Sequence, residues 1–194
     1  LDEGVALPTE DVELLLIAEE VKAILEKSAA EKNVSITIFG SGFAVQGVRR
    51  MLQEIIYNLC DNAIKYNVPG GSVEIHVENK KLTVRDTGIG IPEDELPKMA
   101  EMFYRSKNVE GTNIDGAGMG LNLVKQLVDE HYGSMALSSE EGKGTTFTLT
   151  FPIDYEKRKN IKKITGDALD GKKTLDSPRV LVVEDSIDLR EFMV

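Results

Sequence analysis

One helix-forming stretch, Arg49 to Tyr66, constrains this chain more than any other. Placed at about 100° per residue, Leu52, Ile56, Leu59 and Ala63 form an apolar arc, while Asn58, Asn62 and Lys65 fall within roughly 60° of one another at its edge. The apolar face packs into a core. The polar edge offers two amides and an ammonium, which suit a polyanion and its metal. An amide oxygen such as that of Asn62 can ligate a hard cation, and Mg²⁺ needs few protein ligands when phosphates and waters complete its shell. Lys65 can meet a phosphate as a point charge. The competing reading is an amphipathic helix with a solvated polar side, a common pattern.

Helical and strand periods alternate on either side of this stretch. Leu15, Leu16, Val21, Ile24 and Leu25 recur at helical spacing between Val12 and about Lys32, with Glu31-Lys32-Asn33 ending the helix, whereas residues 1–11 carry no clear pattern. Ser35 to Phe39 alternates as a strand, Gly40-Ser41-Gly42 turns, and Phe43 to Gly47 reads as a short strand. Pro69-Gly70-Gly71 stops the Asn-bearing helix. Val73, Ile75 and Val77, then Leu82 and Val84, alternate on two strands joined by the polar link Glu78 to Lys81, which predicts an antiparallel hairpin delivering Asp86 at its end. Glu93 to Met102 reads as a short helix despite Pro97. Residues 105–117 lack hydrophobic period and read as a mobile loop, either a lid or a linker. A helix with Leu121, Val124, Leu127 and Val128 on one side closes at His131-Tyr132-Gly133. Met135 to Ser138 and Thr145 to Phe151 are two further strands, and Pro152 ends the domain.

Two glycine-rich segments sharpen the reading. Asp86 stands before Gly88 and Gly90 at a strand end, where its carboxylate could accept from the amino group of a base and the glycines would let backbone approach a flat ring; Asp and Gly also dominate ordinary turns. Gly116-x-Gly118-x-Gly120 opens a helix, and free N–H groups and the dipole at a helix start favour phosphate. A dinucleotide fingerprint would need a buried strand just before it, and a polar loop stands there instead.

In this order, the three segments resemble the ATP-binding domain of sensor histidine kinases, within the GHKL ATPase superfamily. Asn58 to Tyr66 is similar to the N box, Asp86 to Gly90 to the G1 box, Met102-Phe103-Tyr104-Arg105 to the F box, Gly116 to Leu121 to the G2 box, and Gly142 to Phe147 to the strand turn that follows. The resemblance covers roughly residues 12–152. It implies an α/β (α+β) two-layer sandwich of the Bergerat type, with a mixed, mainly antiparallel sheet covered on one face by helices. It further implies that Asn62 holds Mg²⁺, that Asn58 and Lys65 act near the phosphates, and that Tyr66 lies by the nucleotide. Asp86 would read the adenine amino group with a water shared by Thr146, and Gly88, Gly90 and Ile91 would line the same pocket. Gly116, Gly118, Met119, Gly120 and Leu121 would surround phosphate with backbone N–H groups. Residues 105–117 would form an ATP lid, with Arg105 contacting phosphate or docking the histidine-bearing partner. One departure is that Gly47-Val48 stands where many relatives have Gly-Asp.

The rest of the chain extends this expectation. Residues 155–178 are Lys-rich and read as a linker. Arg179 to Asp185 is a continuous apolar strand ending in two carboxylates, of a kind buried in parallel sheets. Residues 179–194 resemble the opening of a response-regulator receiver domain, with Glu184 and Asp185 as its acidic pair, so the parent would be a hybrid sensor kinase. The domain boundaries expected are 1–11 for an upstream remnant, 12–154 for the ATP-binding domain, 155–178 for the linker and 179–194 for the start of the receiver. Leu1-Asp2-Glu3-Gly4 reads as a cut from a longer chain. The implied partners are a histidine-bearing dimerisation domain and a receiver domain, in a homodimeric parent. Neither His76, in a hairpin strand, nor His131, at a helix end, has the family's acceptor context.

The chain's net charge of −10 argues against general nucleic-acid binding, and its single cysteine fits a reducing, cytoplasmic compartment. Cys60 falls toward the apolar side of its helix and reads as packing. Hydrolytic GHKL relatives place a Glu one turn before the metal-binding Asn as general base for water; Asn58 occupies that position here, and an amide cannot take the proton. A degenerate, non-catalytic nucleotide-binding module is the third reading, although every nucleotide-facing position holds a suitable residue.

Overall fold

The computed structural model describes residues 9–99 and 120–152, together with the backbone of residues 180–183. An antiparallel pair opens it: β1 (Glu10–Glu13) lies against β3 (Ala44–Gly47) in a sheet of their own. Between them run α1 (Leu14–Glu31) and β2 (Ser35–Phe39). The Asn-bearing helix is α2 (Arg49–Lys65), followed by β4 (Ser72–Glu78) and β5 (Lys81–Asp86). After α3 (Gly120–Glu130) come β6 (Ser134–Glu140), β7 (Gly144–Thr150) and the short β8 (Val180–Val183).

Sequence chemistry explains the boundaries. Asn33 takes a left-handed φ of 56° directly after α1, a conformation asparagine tolerates better than most residues, and Val34 N–H returns to Ala29 O at 2.9 Å. The β4–β5 hairpin turns on Asn79 and Lys80, both at positive φ (52° and 60°), as a two-residue turn matched to strand twist requires. The expected short helix from Glu93 to Met102 is, within the described residues, a single 3₁₀ turn at Leu96–Lys98. Pro97 fixes the backbone of that turn and has no N–H to extend it. β1 falls partly in the stretch that showed no pattern, because four residues with one buried position, Val12, give too short an alternation to read.

The main sheet has the order β2-β4-β5-β7-β6-β8. β2 and β4 are parallel, joined through β3 and α2, and every other pair is antiparallel. This is the mixed, mainly antiparallel sheet that the motifs imply. Alternation along each strand separates its faces. Val73, Ile75 and Val77 on β4, Leu82 and Val84 on β5, Met135 and Leu137 on β6, and Phe147 and Leu149 on β7 are buried in one cluster with the helices. Residues between them, such as Glu74, Thr83, Arg85 and Thr148, point to the other face and are half-buried or exposed. From α2, Leu52, Ile55, Ile56, Leu59, Cys60, Ala63 and Ile64 all enter the core. Cys60 is a packing residue: burial pushes its thiol up to about 12, so it holds its proton at physiological pH.

β8 differs from expectation. Instead of lying in a parallel sheet, it pairs antiparallel with β6, Val183 opposite Met135 and Val180 opposite Ser138. An edge strand presents a row of unpaired N–H and C=O groups, and a short extended segment satisfies them at β6. Glu184 and Asp185 lie outside the described residues.

Candidate functional site

α2 carries the polar edge past the start of α3. A Cβ added at Gly120 would lie 3.2 Å from Asn58 Oδ1 and 3.6 Å from Asn62 Nδ2, so the first described turn of α3, with Gly120 and Leu121, stands directly over the two asparagines. Asn58 Nδ2 donates to Glu54 O at 2.8 Å, which turns its oxygen toward α3. Asn62 is half-buried, and its side chain makes no hydrogen bond among the described residues. One turn on, Lys65 Nζ pairs with Asp61 Oδ2 at 2.6 Å, with 41% and 17% of the two side chains exposed. That hydrogen bond raises the lysine's pKa and keeps it cationic.

The C-terminal end of α2 is tied to the loop after β5. Ile89 N–H donates to Tyr66 O at 3.0 Å. A Cβ at Gly88 would fall 2.3 Å from the same carbonyl oxygen, so only glycine fits there. Asn67 completes the tie: its Nδ2 donates to Ala63 O and Ser72 O, both at 3.0 Å, and its Oδ1 accepts from Val68 N–H and Thr87 Oγ1–H. Asn67 is buried with all its hydrogen-bonding capacity used, and it fixes where Tyr66 and Asp86 sit relative to one another. The motif reading did not single it out.

Asp86 ends β5 on the inward face, 8% exposed. Its Oδ1 accepts from Gly88 N–H at 2.8 Å and Thr145 N–H at 3.1 Å. Among the described residues, no protein donor reaches its other oxygen. Burial pushes its carboxyl from 3.8 up to about 6, and the two backbone donors hold that rise in check. At neutral pH it is therefore a carboxylate with one bare oxygen, held in a weakly polar wall. The β6–β7 turn forms the rest of that wall. Gly142 N–H donates to Ile89 O at 2.7 Å. Cβ atoms at Gly90 and Gly144 would lie 2.1 Å from Glu140 O and 2.0 Å from Asp86 O, so backbone packs against backbone there.

The threonine beside Asp86 is Thr145, not Thr146. Thr146 pairs with Arg85 across β5 and β7, and both face the opposite side of the sheet, whereas Thr145 shares the inward face with Phe147 and Leu149. Thr145 and its buried neighbour Ser139 were legible in the alternation itself: Met135-x-Leu137-x-Ser139 and Thr145-x-Phe147-x-Leu149 place both hydroxyls in the core-facing rows. Ile91 is 9% exposed, and its N–H is anchored by Ser139 Oγ at 2.9 Å. Arg105, Gly116, Gly118 and Met119 lie outside the described residues, as does the whole 105–117 segment.

Two other features bound the site. A surface hollow of about 500 Å³ lies at the first turn of α2, lined by Glu10, Val48, Arg49, Arg50, Met51, Glu54 and Leu127; it holds none of the motif residues. Among the described residues there is no cluster of three or more His, Cys, Asp or Glu that could hold a metal by itself. None of their helices is long and apolar enough to cross a membrane.

Known proteins resemble this chain in sequence and in fold. An uncharacterized sensor-like histidine kinase of Rhizobium meliloti is 37% identical over 155 residues, covering 73% of this chain and 30% of that protein. The sensor protein kinase PmrB of Pseudomonas aeruginosa is 35% identical over 146 residues, with the same two shares. The chain thus spans under a third of the length of these relatives. Among solved structures, the mycobacterial sensor histidine kinase MprB superposes with a TM-score of 0.63 at 25% identity, over 75% of this chain and 97% of that one. A family model described as histidine kinase-, DNA gyrase B- and HSP90-like ATPase matches residues 47–155, which is more than half the chain and includes α2, the loop after Asp86 and the β6–β7 turn. On that match the chain belongs to the histidine kinase-, DNA gyrase B- and HSP90-like ATPase family, as an ATP-binding domain of the sensor histidine kinase kind.

Proposed function

We propose that this chain is the catalytic module of a two-component, hybrid sensor histidine kinase: it binds ATP and presents the γ-phosphoryl group to a histidine on a separate helical dimerisation domain. The observation that carries the reading is the meeting of Asn58 and Asn62 with Gly120 at one end, and of Tyr66 with the Asp86–Ile91 loop at the other. A triphosphate would lie along α2 toward the start of α3, with its base against Asp86.

Roles follow from chemistry. The bare oxygen of Asp86 accepts from the base's amino group. Gly88, Gly90 and Ile91 supply the flat backbone beside the ring, and Tyr66 borders it. Asn58 and Lys65 act at the phosphates, where Lys65 must exchange Asp61 for a phosphoryl oxygen. Asn62 suits Mg²⁺, since its amide is half-buried with no protein partner among the described residues and a nucleotide supplies the remaining oxygens. The metal would neutralise phosphate charge. Gly116, Gly118, Met119, Gly120 and Leu121 are assigned to phosphate binding, residues 105–117 to a lid, and Arg105 to phosphate or partner contact. Catalysis is then positioning and charge neutralisation, which is most of what phosphoryl transfer asks of a protein.

Water-directed hydrolysis is disfavoured. Asn58, one turn before Asn62, is an amide already bonded to Glu54 O and cannot serve as a base. We further assign residues 155–178 to a linker and 179–194 to the start of a receiver domain, supported by the apolar run and acidic pair in the sequence. The parent would act as a homodimer at the cytoplasmic face. The deciding experiment mixes this chain with γ-labelled ATP and a matching histidine-bearing helical domain. Acid-labile label on that domain supports the proposal; rapid phosphate release by the chain alone, with no label transferred, contradicts it.

A further inference from the structure

His131 belongs to none of the nucleotide-binding motifs, yet it ties together the two helices that carry the polar site. It stands just past α3, where Tyr132 turns the chain out of the helix at a φ of 54°. Its ring is 3% exposed and lies against β3: a Cβ at Gly47 would fall 2.4 Å from Cδ2 and 2.6 Å from Nε2, so only a glycine leaves room for it. The two ring nitrogens have opposite duties. Leu127 O, 2.7 Å from Nδ1, can only accept, so Nδ1 carries the proton. Val48 N–H, 3.1 Å from Nε2, can only donate, so Nε2 is bare. Val48 O in turn accepts from Met51 and Leu52 N–H and starts α2. The end of α3 is thereby bonded to the beginning of α2.

The same two helices meet again over the site, where Gly120 stands against Asn58 and Asn62. About 15 Å of α2 separates Val48 from Asn58, and about 16 Å of α3 separates Gly120 from His131, so the two contacts close an antiparallel helix pair at both ends. Between them the interface is apolar: Val124, Leu127 and Val128 of α3 are buried in the cluster that holds Leu52, Ile55 and Leu59 of α2. Apolar contact is non-directional and sets axial register loosely, whereas a hydrogen bond weakens steeply as its partners move out of line. We infer that His131 is a positioning residue for nucleotide binding: its bond to Val48 sets the register of α3 against α2, and thereby the place of Gly120 and Leu121 over Asn58 and Asn62. The inference rests on the nucleotide-binding reading and adds to it what holds the phosphate end of the site in register from a distance. Burial suits the ring to this task, because it lowers the pKa and keeps Nε2 free to accept.

The test separates register from stability. Dissociation constants for a non-hydrolysable ATP analogue with Mg²⁺ are measured by calorimetry at pH 7.5, with thermal melts alongside, for the wild type, His131→Leu, His131→Gln, Gly47→Ala and Val21→Ala. His131→Leu removes the acceptor for Val48 and should raise the dissociation constant about tenfold. Gly47→Ala pushes the ring off Val48 and should do the same; it carries the test if His131→Leu fails to fold. His131→Gln offers an amide oxygen in place of Nε2 and should bind within about threefold of wild type. Val21→Ala, a cavity in the buried face of α1, should lower the melting temperature and leave the dissociation constant unchanged. In the protein without nucleotide, the amide NMR shifts of Gly120 and Leu121 should move in His131→Leu and stay in place in Val21→Ala. A folded His131→Leu or Gly47→Ala that binds like wild type, with Gly120 and Leu121 shifts unmoved, overturns the inference and leaves His131 a fold-stabilising residue only. A His131→Gln that binds as weakly as His131→Leu overturns it too. A wild type that binds no analogue overturns the nucleotide-binding reading itself, and this inference with it.

Discussion

Asp86 sets binding against stability, and replacing it with asparagine exposes the conflict. Burial raises its carboxyl from 3.8 to about 6, so the folded state holds a carboxylate that would rather be protonated. A shift of about two units corresponds to ~3 kcal/mol at pH 7.5, where the native group is charged. The sign is the reverse of the usual carboxylate: the native state binds more protons than the unfolded chain between pH 3.8 and about 6, so the stability from this group falls as pH rises through that window. Asp86→Asn keeps the acceptor for Gly88 and Thr145 and removes the charge. Its new amide hydrogens lack a protein acceptor and return about 1–2 kcal/mol of the gain, so the variant should be about 1–2 kcal/mol more stable than wild type at pH 7.5. By pH 4 the wild-type penalty should shrink by about 2 kcal/mol, leaving the variant equal or less stable. Nucleotide affinity should fall at least about tenfold, because a charge-assisted hydrogen bond to the amino group is lost. Urea unfolding at pH 7.5, 5 and 4, with calorimetric titration of an ATP analogue at pH 7.5, measures both. Stability curves that stay parallel from pH 7.5 to 4, or undiminished binding, would refute the reasoning.

Other substitutions follow from the same geometry. His131 is buried and neutral, with Nδ1–H given to Leu127 O at 2.7 Å and Nε2 accepting from Val48 N–H at 3.1 Å. Burial lowers its pKa below 6.5, so the unfolded chain binds the extra proton on acidification; His131→Gln should flatten the loss of stability below pH 6.5 in urea titrations. Val48 begins α2 with no side-chain cap, so Val48→Asp should raise stability by about 1 kcal/mol in the same assay. Gly142 has open space around it and a φ of 77°, so Gly142→Ala should cost about 1 kcal/mol, whereas Gly144→Ala, with Asp86 O in the way, should cost more than about 3 kcal/mol. Lys65→Met should change the melting temperature little, since its pair with Asp61 is partly exposed, while weakening nucleotide binding measurably.

The parts legible in sequence were those fixed by local periodicity. α2 runs from Arg49 to Lys65 because its apolar positions repeat at helical spacing over almost five turns, and the β4–β5 hairpin follows from two clean alternations around Asn79-Lys80. Pro97 overrode a weak helical pattern, and β1 was too short to show one. For the site, the order of the motifs gave the segments, but the choice between Thr145 and Thr146 lay in the alternation Thr145-x-Phe147-x-Leu149, where a shift of one residue moves a side chain to the other face. Asn67 and Ser139 were invisible as motif residues because their work is to satisfy backbone groups from other segments. At β8 the limit is related: an apolar run states that a strand will be paired, not with which neighbour.

The central claim is that α2, the loop after β5 and the start of α3 enclose one nucleotide. Backbone amide chemical shifts followed by NMR, as a non-hydrolysable ATP analogue and Mg²⁺ are added, test it directly. Changes should concentrate at Asn62, at Gly88 to Ile91, at Gly120 and at Thr145, and saturate together with a single dissociation constant. Changes confined to the hollow around Glu10, Arg50 and Leu127, or none at all, would contradict it.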